Sequence, residues 1–451
     1  MAVAVGWGTV AIAPNSEIAV GAAPLYGHWG WYGRPALLIP LLVAIVVITL
    51  GPRRSTTATW RGLLVAAGAG AAVWAASLTG AGGWHRMTTR LTNHHQYEPF
   101  AATIDHPARF LATFTDQIGA YPTHVRGHPP GATLLPWALD RLGLGGAGWW
   151  QLLIVIGWGT AVATTLVAVR AVAGEGLARR TAPALVLLPA GVWATAADGL
   201  FAGMAATSLA LTVVAIVDRR HGLAAAAGAC FAAALLLTYG AALLATVPAA
   251  VAAWRRSWSP LLVGAGAAAL GLVAVWAVTG FSWLQGLDAT RSEYWAGVAA
   301  HRPTPYFVLA GNPGALALAV GPAVFAGLTT VLRGCADRRS RGPSGPVAEG
   351  DHERETHALL SAAKPPTWSN GDPSAHAPSL GGRAASVLPL AALTAVVLGN
   401  VSLLSKAEVE RIWLLFMPWL AISAGTLVHP RLWLAAQAAI ALMIVFVLRG
   451  G

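Results

Sequence analysis

The sequence predicts an all-α polytopic membrane protein with about 12 (10–13) transmembrane helices. Hydrophobic residues fill 56% of the 451 positions, charged residues only 10%, and the mean hydropathy is +0.60. A soluble globular chain carries about 25% charged residues, so this chain falls outside that class. Because the hydrocarbon core of a bilayer offers no water to backbone groups, its long apolar runs must form helices.

Apolar runs of bilayer length recur along nearly the whole chain, and each predicts one membrane span. The predicted spans are 35–51, 62–80, 149–170, 182–197, 199–217, 222–238, 240–254, 260–279, 314–332, 384–404, 412–428 and 432–448. A Pro-, Gly-, Ser- and charge-rich segment, 334–383, interrupts them and is poor in residues that could build a core. It predicts a disordered cytoplasmic linker between a transmembrane domain, 1–333, and C-terminal transmembrane helices, 384–451.

Every second connection between the predicted spans is rich in arginine. These connections therefore all lie on the same face of the membrane. They contain Arg53, Arg54 and Arg61, then Arg170, Arg179 and Arg180, then Arg219 and Arg220, Arg255 and Arg256, Arg333 to Arg383, and Arg431. The positive-inside rule assigns this face to the cytoplasm and explains the net charge of +11. The basic residues form no stripe of the kind that binds nucleic acid. We therefore expect the lipid bilayer, and not a nucleic acid, as the large partner.

The opposite face carries three connections that are too polar to be simple turns. They are the first external loop, 81–148, and the connections 280–313 and 405–411; the turns at Asp198 and Tyr239 add single polar residues on that side. Ionisable groups at membrane level are costly and are usually functional. We therefore expect these connections to form one extracytoplasmic site.

The first external loop contains the segment YPTHVRGHPPG at 121–131. Its flanks, 107–118 and 131–142, have the apolar spacing of interfacial helices. The pair Pro129-Pro130 followed by Gly131 favours an extended approach and then the start of a helix, because proline fixes φ and restricts the preceding residue. This turn would direct His124, Arg126 and His128 towards the membrane-side site.

A long non-cytoplasmic loop with an acidic residue near its start (HHQYE) and a GHPPG turn resembles the GT-C class of membrane glycosyltransferases. That class includes protein O-mannosyltransferases, aminoarabinose transferases and actinobacterial arabinofuranosyl- and mannosyltransferases. The resemblance implies a GT-C-like fold, a polyprenyl-phosphate-linked sugar donor, and a loop carboxylate that acts as base or binds a metal. The chain departs from the class because its acidic loop follows the second predicted span and lacks a pair of adjacent acidic residues.

Carried onto this chain, the resemblance makes Glu98, then Asp105, the candidate catalytic carboxylates. A carboxylate within hydrogen-bond reach can deprotonate an acceptor hydroxyl, and arginine suits a leaving phosphate through its planar fork. The simpler alternatives are solvated carboxylates and snorkelling interfacial arginines. The candidate substrate-binding residues are His94, His95, Tyr97, His124, Arg126, His128, Glu293, Tyr294, Arg302, Glu410 and Arg411.

Histidine pairs raise a metal alternative, since His124 and His128 would lie on one face of a continuous helix and could bind zinc. Gly127 and Pro129 argue against such a helix, and the HExxH pattern is missing. We therefore assign no metal ligands and no definite cofactor. A divalent cation such as Mg²⁺ or Mn²⁺ at Glu98 or Asp105 remains an alternative.

The leading functional hypothesis is a glycosyltransferase of the plasma membrane with an extracytoplasmic active site. It would transfer a sugar from a polyprenyl-phosphate donor to a glycan or lipid acceptor of the cell envelope. The alternative from another class is a polytopic transporter or lipid flippase, which would place ionisable residues near mid-membrane and contain internal repeats. A structural or assembly protein is the third hypothesis.

Overall fold

The computed structural model describes residues 4–8, 21–31, 35–340 and 383–449. In these ranges the fold is almost entirely helical, and strand β1 (His28–Trp29) pairs antiparallel with β2 (Leu448–Arg449). Most of the predicted linker 334–383, namely residues 341–382, lies outside the described residues. Residues 334–340 at its start continue a helix, and the first Gly-Pro pair follows at 342–343. The assignment of the segment as a disordered linker stays a prediction.

Helices of very different length follow one another along the chain. The first part contains α1 Leu38–Thr57, α2 Trp60–Gly80, α3 Trp84–Thr92, α4 Tyr97–Ala101, α5 Pro107–Thr113, α6 Thr123–Arg126, α7 Gly131–Arg141, α8 Ala147–Ala173, α9 Glu175–Val186 and α10 Asp198–Val217. The middle part contains α11 His221–Leu235, α12 Thr246–Arg255, α13 Ser259–Thr279, α14 Trp283–Ala296, α15 Val298–His301, α16 Thr304–Tyr306, α17 Asn312–Val320 and α18 Pro322–Ser340. The last part contains α19 Ala384–Val401, α20 Val409–Ile412, α21 Met417–Ala421 and α22 Pro430–Val447.

Among the described residues, 7 helices are long and apolar enough to cross a bilayer, namely α1, α2, α8, α10, α13, α19 and α22. The bent pair Thr304–Val320 and Pro322–Asp337, with an angle of 105°, gives up to 8 spans if it counts as one. The prediction of a helical polytopic membrane protein is thus confirmed, whereas the larger predicted number of spans is not. The predicted spans 182–197, 222–238, 240–254 and 412–428 contain shorter or interrupted helices.

The interrupted helices are stabilised by distant side chains that bond to the freed backbone groups. After α9 ends, the buried Trp74 donates its indole N–H to the carbonyl of Leu188 at 3.0 Å. Gln151 donates in the same way to the carbonyl of Thr195 at 3.1 Å. Buried carbonyls within a membrane need such partners, so irregular backbone is tolerated there only when other helices supply them.

The bend between α17 and α18 occurs at Gly321, whose φ is 77°. The buried Gln437 of α22 donates to the carbonyl of Val320 at 2.9 Å and accepts from the N–H of Ala323 at 3.4 Å. One side chain therefore replaces two helical hydrogen bonds across the bend. The predicted span 314–332 therefore consists of two helices at an angle, because this glycine and this glutamine stabilise a sharp turn.

Helix α8 lies at the centre of the bundle and packs closely on α2 and α10 through glycines. A methyl group at Gly203 would overlap the carbonyl oxygen of Gly157. By contrast, a methyl group added at Gly266, on the largely exposed α13, would meet no other atom within 4 Å. Small residues at such crossings let helix backbones approach where lipid provides no hydrophobic drive for association.

We expect Gly203→Ala to lower the free energy of unfolding by about 2 kcal/mol, because the added methyl separates α8 from α10. The matched variant Gly266→Ala should be neutral or raise that free energy by up to about 1 kcal/mol through better helix propensity. Thermal unfolding in detergent measures both. Equal effects at the two positions would contradict the close packing of α8 and α10.

The arginines of several connections meet at one end of the bundle. Arg179, near the start of α9, donates to the carbonyls of Ser55 at 2.7 Å and Ala58 at 2.9 Å, so the start of α9 lies against the end of α1. Arg180 bonds to the carbonyl of Gly425 at 3.1 Å, which adds the connection before α22. These contacts agree with the shared basic face expected from the sequence.

The three polar connections and the N-terminal segment meet at the other end. The N–H of Tyr26 bonds to Glu410 at 2.9 Å, and the hydroxyl of Tyr306 donates to the carbonyl of Ala4 at 2.9 Å. Arg126 of the first external loop forms an ion pair with Glu293 of α14. The fold therefore brings these connections into contact, while their assignment to one extracytoplasmic site stays a prediction.

Candidate functional site

The first external loop is an ordered layer that packs through aromatic rings. The rings of Phe110, Tyr121 and Phe281 surround Phe114 at centroid distances of 5.2 to 5.6 Å. Helix α5 is shorter than the predicted helix 107–118 and ends at Thr113, where β-branched residues lower helix propensity. Helix α7 agrees with the predicted 131–142.

The YPTHVRGHPPG segment folds largely as its prolines and glycines predict. It forms the single turn α6, which ends at Arg126, and α7 then begins at Gly131 directly after Pro130. His124 and His128 therefore do not share one helix. Instead, Nδ1 of His128 lies 3.1 Å from the carbonyl oxygen of His124, so the two imidazoles belong to one rigid turn.

Arg411 is the centre of the candidate site, because its guanidinium contacts residues from three separate parts of the chain. Its Nη2 lies 3.0 Å from the carboxylate of Glu408, and its Nε lies 3.7 Å from that of Asp198. Its Nη1 lies 3.5 Å from Nε2 of His124. A planar guanidinium carries several N–H donors and can therefore contact three side chains at once.

Asp198 is the first residue of α10 and is almost buried. Negative charge is stabilised at a helix N-terminus by the partial positive charge of the backbone dipoles. Among the described side chains and backbone groups, none donates a hydrogen bond to the Asp198 carboxylate; its ionic partner is Arg411. The carboxylate thus keeps its lone pairs available beside a cation.

Arg302 is a second, buried arginine at this centre and belongs to the connection that follows α14. Its Nη2 lies 3.5 Å from the other carboxylate oxygen of Glu408, and its Nη1 donates to the carbonyl of Lys406. Its Nε has no hydrogen-bond partner among the described residues. Glu408 therefore bridges Arg302 and Arg411 and holds the two cations on the same side of the site.

Aromatic side chains form a wall beside Asp198. The ring of the buried Tyr97 lies 5.6 Å from that of His128 and 6.1 Å from that of Phe201, and His128 lies 5.5 Å from Phe201. Burial, followed by the nearby charge of Asp198, raises the pKa of Tyr97 well above its ordinary value. Tyr97 therefore keeps its proton and offers a hydroxyl group at neutral pH.

The remaining predicted residues of the first loop lie at the rim. His94 and His95 are exposed, and their rings lie 3.8 Å apart at an interplanar angle of 45°, while the carbonyl of His95 accepts the N–H of His124. Arg126 forms a half-exposed ion pair with Glu293 at 3.7 Å. These contacts support the turn that carries His124, and they place the four side chains outside the Arg411 centre.

Tyr294 and Glu410 support the segment that carries Arg411 from two sides. The hydroxyl of Tyr294 accepts the N–H of Lys406 at 2.6 Å. Glu410 is buried and binds the N–H of Tyr26, while its second carboxylate oxygen has no partner among the described residues. Burial is the main cause that raises the pKa of Glu410 to about 7.

Glu98 and Asp105, the carboxylates favoured by sequence, are not brought to Arg411. In the described part of the chain, neither forms an ion pair or hydrogen bond through its side chain, and Asp105 is exposed. Burial and the nearby Asp140 raise the pKa of the half-buried Glu98. The catalytic role of these two residues stays a prediction.

Sequence reasoning left Asp198, Glu408 and Lys406 out of the candidate site. The signals for the first two were present: Asp198 interrupts an apolar stretch on the polar side, and Glu408 precedes Arg411 by one helical turn. No sequence signal pairs Asp198 with Arg411 across more than two hundred positions, so only the fold reveals that contact.

Histidine and acidic side chains are the groups here that could bind a metal ion. Within the described ranges, no group of three or more His, Cys, Asp or Glu residues has the geometry to hold a metal ion. His124 and His128 instead contact Arg411, the backbone and aromatic rings. The alternative of a divalent cation at Glu98 or Asp105 stays a prediction.

The site should respond to pH through His124 and His128. Burial lowers the pKa of both imidazoles; the positive charge of Arg411 lowers them further, while Asp198 partly offsets this at His128. The unfolded chain takes up protons near a pKa of about 6.5, and the folded chain does not, so stability is lost as the pH falls. We expect a loss of about 1 kcal/mol for each imidazole at about pH 5.5.

Thermal unfolding of the wild type and His128→Gln between about pH 7.5 and pH 5.5 measures this effect. The variant should lose less stability than the wild type over that interval. Glu410 contributes with the opposite sign, since its raised pKa favours folding below about pH 7, but it is common to both proteins. An identical pH dependence would show that His128 takes up a proton normally in the fold.

No protein-family model, curated protein or solved structure matches the chain. The assignment of a function therefore depends on the chemistry of the Arg411 centre and of the connections around it.

Proposed function

We propose that the chain is a GT-C-type glycosyltransferase of the plasma membrane. It transfers a sugar from a polyprenyl-phosphate donor to an extracytoplasmic glycan or lipid acceptor in the cell envelope. The observation that carries this proposal is the position of Arg411 between Asp198, Glu408 and His124. A base and a phosphate-binding cation lie there side by side at the end of a helical bundle.

The membrane-side location supports a lipid-linked substrate. Asp198 begins an apolar helix that is long enough to cross a bilayer, so the centre lies where that helix leaves the hydrocarbon. A polyprenyl chain can remain in the lipid while its phosphate and sugar reach this level. The arginine-rich end of the bundle is opposite, and the positive-inside rule assigns it to the cytoplasm, which leaves the centre extracytoplasmic.

The reaction needs one proton acceptor and one anion-stabilising group. The oxygen of the acceptor hydroxyl attacks the anomeric carbon, and the bond from that carbon to the donor's phosphate oxygen breaks. The bonding electrons leave with the polyprenyl phosphate, and the hydroxyl proton passes to a carboxylate. Asp198 is in place to accept that proton, and Arg411 with Arg302 stabilises the charge on the phosphate.

Two features of the centre favour this division of roles. The Asp198 carboxylate lies 3.7 Å from Arg411, which is close enough to stay beside a phosphate that the arginine binds. Tyr97 and His128 provide hydroxyl and imidazole groups next to aromatic faces, an environment suited to a sugar ring. Glu98 and Asp105 stay alternative bases, and single variants of each carboxylate distinguish them from Asp198.

Purified protein in lipid nanodiscs, incubated with polyprenyl-phosphate mannose, glucose and arabinofuranose, tests the proposal. Formation of polyprenyl phosphate together with a glycosylated acceptor from added membrane lipids or glycan is the expected result. In sealed proteoliposomes, movement of a fluorescent polyprenyl phosphate from one leaflet to the other, with no sugar transfer, would overturn the proposal in favour of the flippase alternative. The proposal would also be overturned if the protein neither transferred sugar from any donor nor moved the lipid across the bilayer.

A further inference from the structure

Lys406 is a buried lysine in a chain that uses arginine almost exclusively as its cation. Lysine occurs in the sequence only at Lys364 and Lys406. The Lys406 side chain is fully enclosed, with the residue 1% exposed. A buried ammonium group is costly unless all of its donors are paired, so its environment must compensate the burial.

The ammonium group of Lys406 is fully hydrogen bonded by the connection that follows α14. Its Nζ donates to the carbonyls of Ala299 at 2.8 Å and Arg302 at 3.0 Å, and to the hydroxyl of Thr304 at 3.0 Å. It also lies 4.1 Å from the centre of the Trp295 ring. Three donors thus meet three acceptors, a pattern that suits a compact ammonium and does not suit a planar guanidinium.

The same lysine is held through its backbone as well. Its N–H bonds to the hydroxyl of Tyr294, and its carbonyl accepts from Nη1 of Arg302. The buried Asn312 binds the neighbouring carbonyl of Ser405 at 2.8 Å and the N–H of Ala407 at 3.2 Å. The segment 405–407 is therefore fixed against the 294–312 region at every residue.

This fixation stabilises an unfavourable backbone conformation. Leu403, Ala407 and Glu408 have φ values of 57°, 73° and 58°, in the left-handed region that residues with a side chain rarely adopt. Such backbone strain persists only where the surrounding contacts determine the conformation. The consequence is specific, because the left-handed conformation at Glu408 places its carboxylate between Arg302 and Arg411.

We infer that Lys406 is a positioning residue that sets Arg302 and, through Glu408, Arg411 in the arrangement that binds the donor phosphate. This inference rests on the proposed function, which identifies the ligand as a polyprenyl-phosphate donor. Lys406 itself does not touch the substrate in this scheme. Its side chain joins two connections, and the two arginines that are aligned by this junction form the phosphate-binding pair.

Binding of undecaprenyl phosphate and of undecaprenol to protein in nanodiscs separates this role from a purely structural one. The two lipids share the polyprenyl chain and differ in the phosphate. For Lys406→Met we expect the Kd for undecaprenyl phosphate to rise about tenfold, which corresponds to the loss of one charge-assisted hydrogen bond from a displaced arginine to the phosphate. The Kd for undecaprenol should stay unchanged, and Lys364→Met, which removes the other lysine, should match the wild type.

Two milder variants keep the test decisive if Lys406→Met does not fold. Thr304→Val removes one acceptor of the ammonium group, while Thr304→Ser keeps the hydroxyl. Thr304→Val should weaken binding of undecaprenyl phosphate by about threefold, and Thr304→Ser should retain it. Selective loss of phosphate binding in either Lys406→Met or Thr304→Val, relative to its control, supports the positioning role.

The outcomes for Lys406 and for the proposed function are distinguishable. Equal weakening for both lipids, or unchanged binding of both, overturns the positioning role even if sugar transfer is observed. Wild-type protein that binds undecaprenyl phosphate more tightly than undecaprenol, yet transfers no sugar, overturns the glycosyltransferase and leaves the lysine's role in phosphate binding supported. Wild-type protein that does not discriminate between the two lipids overturns the positioning role.

Discussion

Arg411→Gln is expected to abolish sugar transfer and to lower the free energy of unfolding by about 3 kcal/mol. The guanidinium is the shared counter-ion of Asp198 and Glu408, whose side chains are only 12% and 25% exposed. A neutral amide would leave Asp198 without its cation and Glu408 with Arg302 as its remaining cation, which is costly where water is largely excluded. It would also remove the principal group that stabilises the departing phosphate.

Transfer assays and thermal unfolding of Arg411→Gln measure the two effects separately. Arg411→Lys keeps the charge and loses the planar fork, so it should restore part of the stability and little of the transfer. Arg126→Gln is the matched control, because its ion pair with Glu293 is 40% and 34% exposed and should contribute less than about 1 kcal/mol. An active Arg411→Gln protein would contradict the assignment of Arg411 as the phosphate-binding cation.

The class of fold could be predicted from composition and run length alone, because bilayer physics constrains those properties directly. Seven of the apolar runs are single long helices in the described ranges. The predicted number of spans exceeded what the fold confirms, since apolar runs do not reveal where a helix breaks. Gln437, for example, stabilises the bend at Gly321 from more than one hundred residues away.

The candidate site was predictable to the extent that polar residues are costly near a membrane. This argument identified the connections that converge and, within them, Arg411, Arg302, His124 and Tyr97. It could not identify the carboxylate best placed to act as the base, because that depends on distances to Arg411 that only the fold determines. Glu98 and Asp105 stand in the loop that resembles a known class, whereas Asp198 is at the start of a helix and reaches Arg411.

Lys406 shows a different limit of sequence reasoning. A lone lysine beside two glutamates looks like part of a solvated charged turn, as in the segment KAEVER. The fold instead buries its ammonium group beside Trp295 and bonds it to the carbonyl of Ala299, and it forms no ion pair with those glutamates among the described residues. Its three acceptors include two backbone carbonyls, and a sequence pattern gives no information about backbone groups that are free to bond.

Asp198→Asn is expected to reduce sugar transfer by about 10²–10⁴-fold and to leave the binding of undecaprenyl phosphate nearly unchanged. The substitution preserves the size of the side chain and removes its ability to take a proton from the acceptor hydroxyl. The loss of stability should be small, about 1 kcal/mol, because Arg411 retains Glu408 at 3.0 Å and the helix loses only a favourable N-terminal charge.

The matched variants Glu98→Gln and Asp105→Asn decide which carboxylate is the base. If Asp198 accepts the proton, both variants keep most of the transfer activity, since neither side chain contacts Arg411 among the described residues. An active Asp198→Asn protein together with an inactive Glu98→Gln protein would reverse the assignment. The first external loop would then have to move Glu98 to the phosphate-binding arginines during the reaction, because an attacking hydroxyl must lie within hydrogen-bond reach of its base.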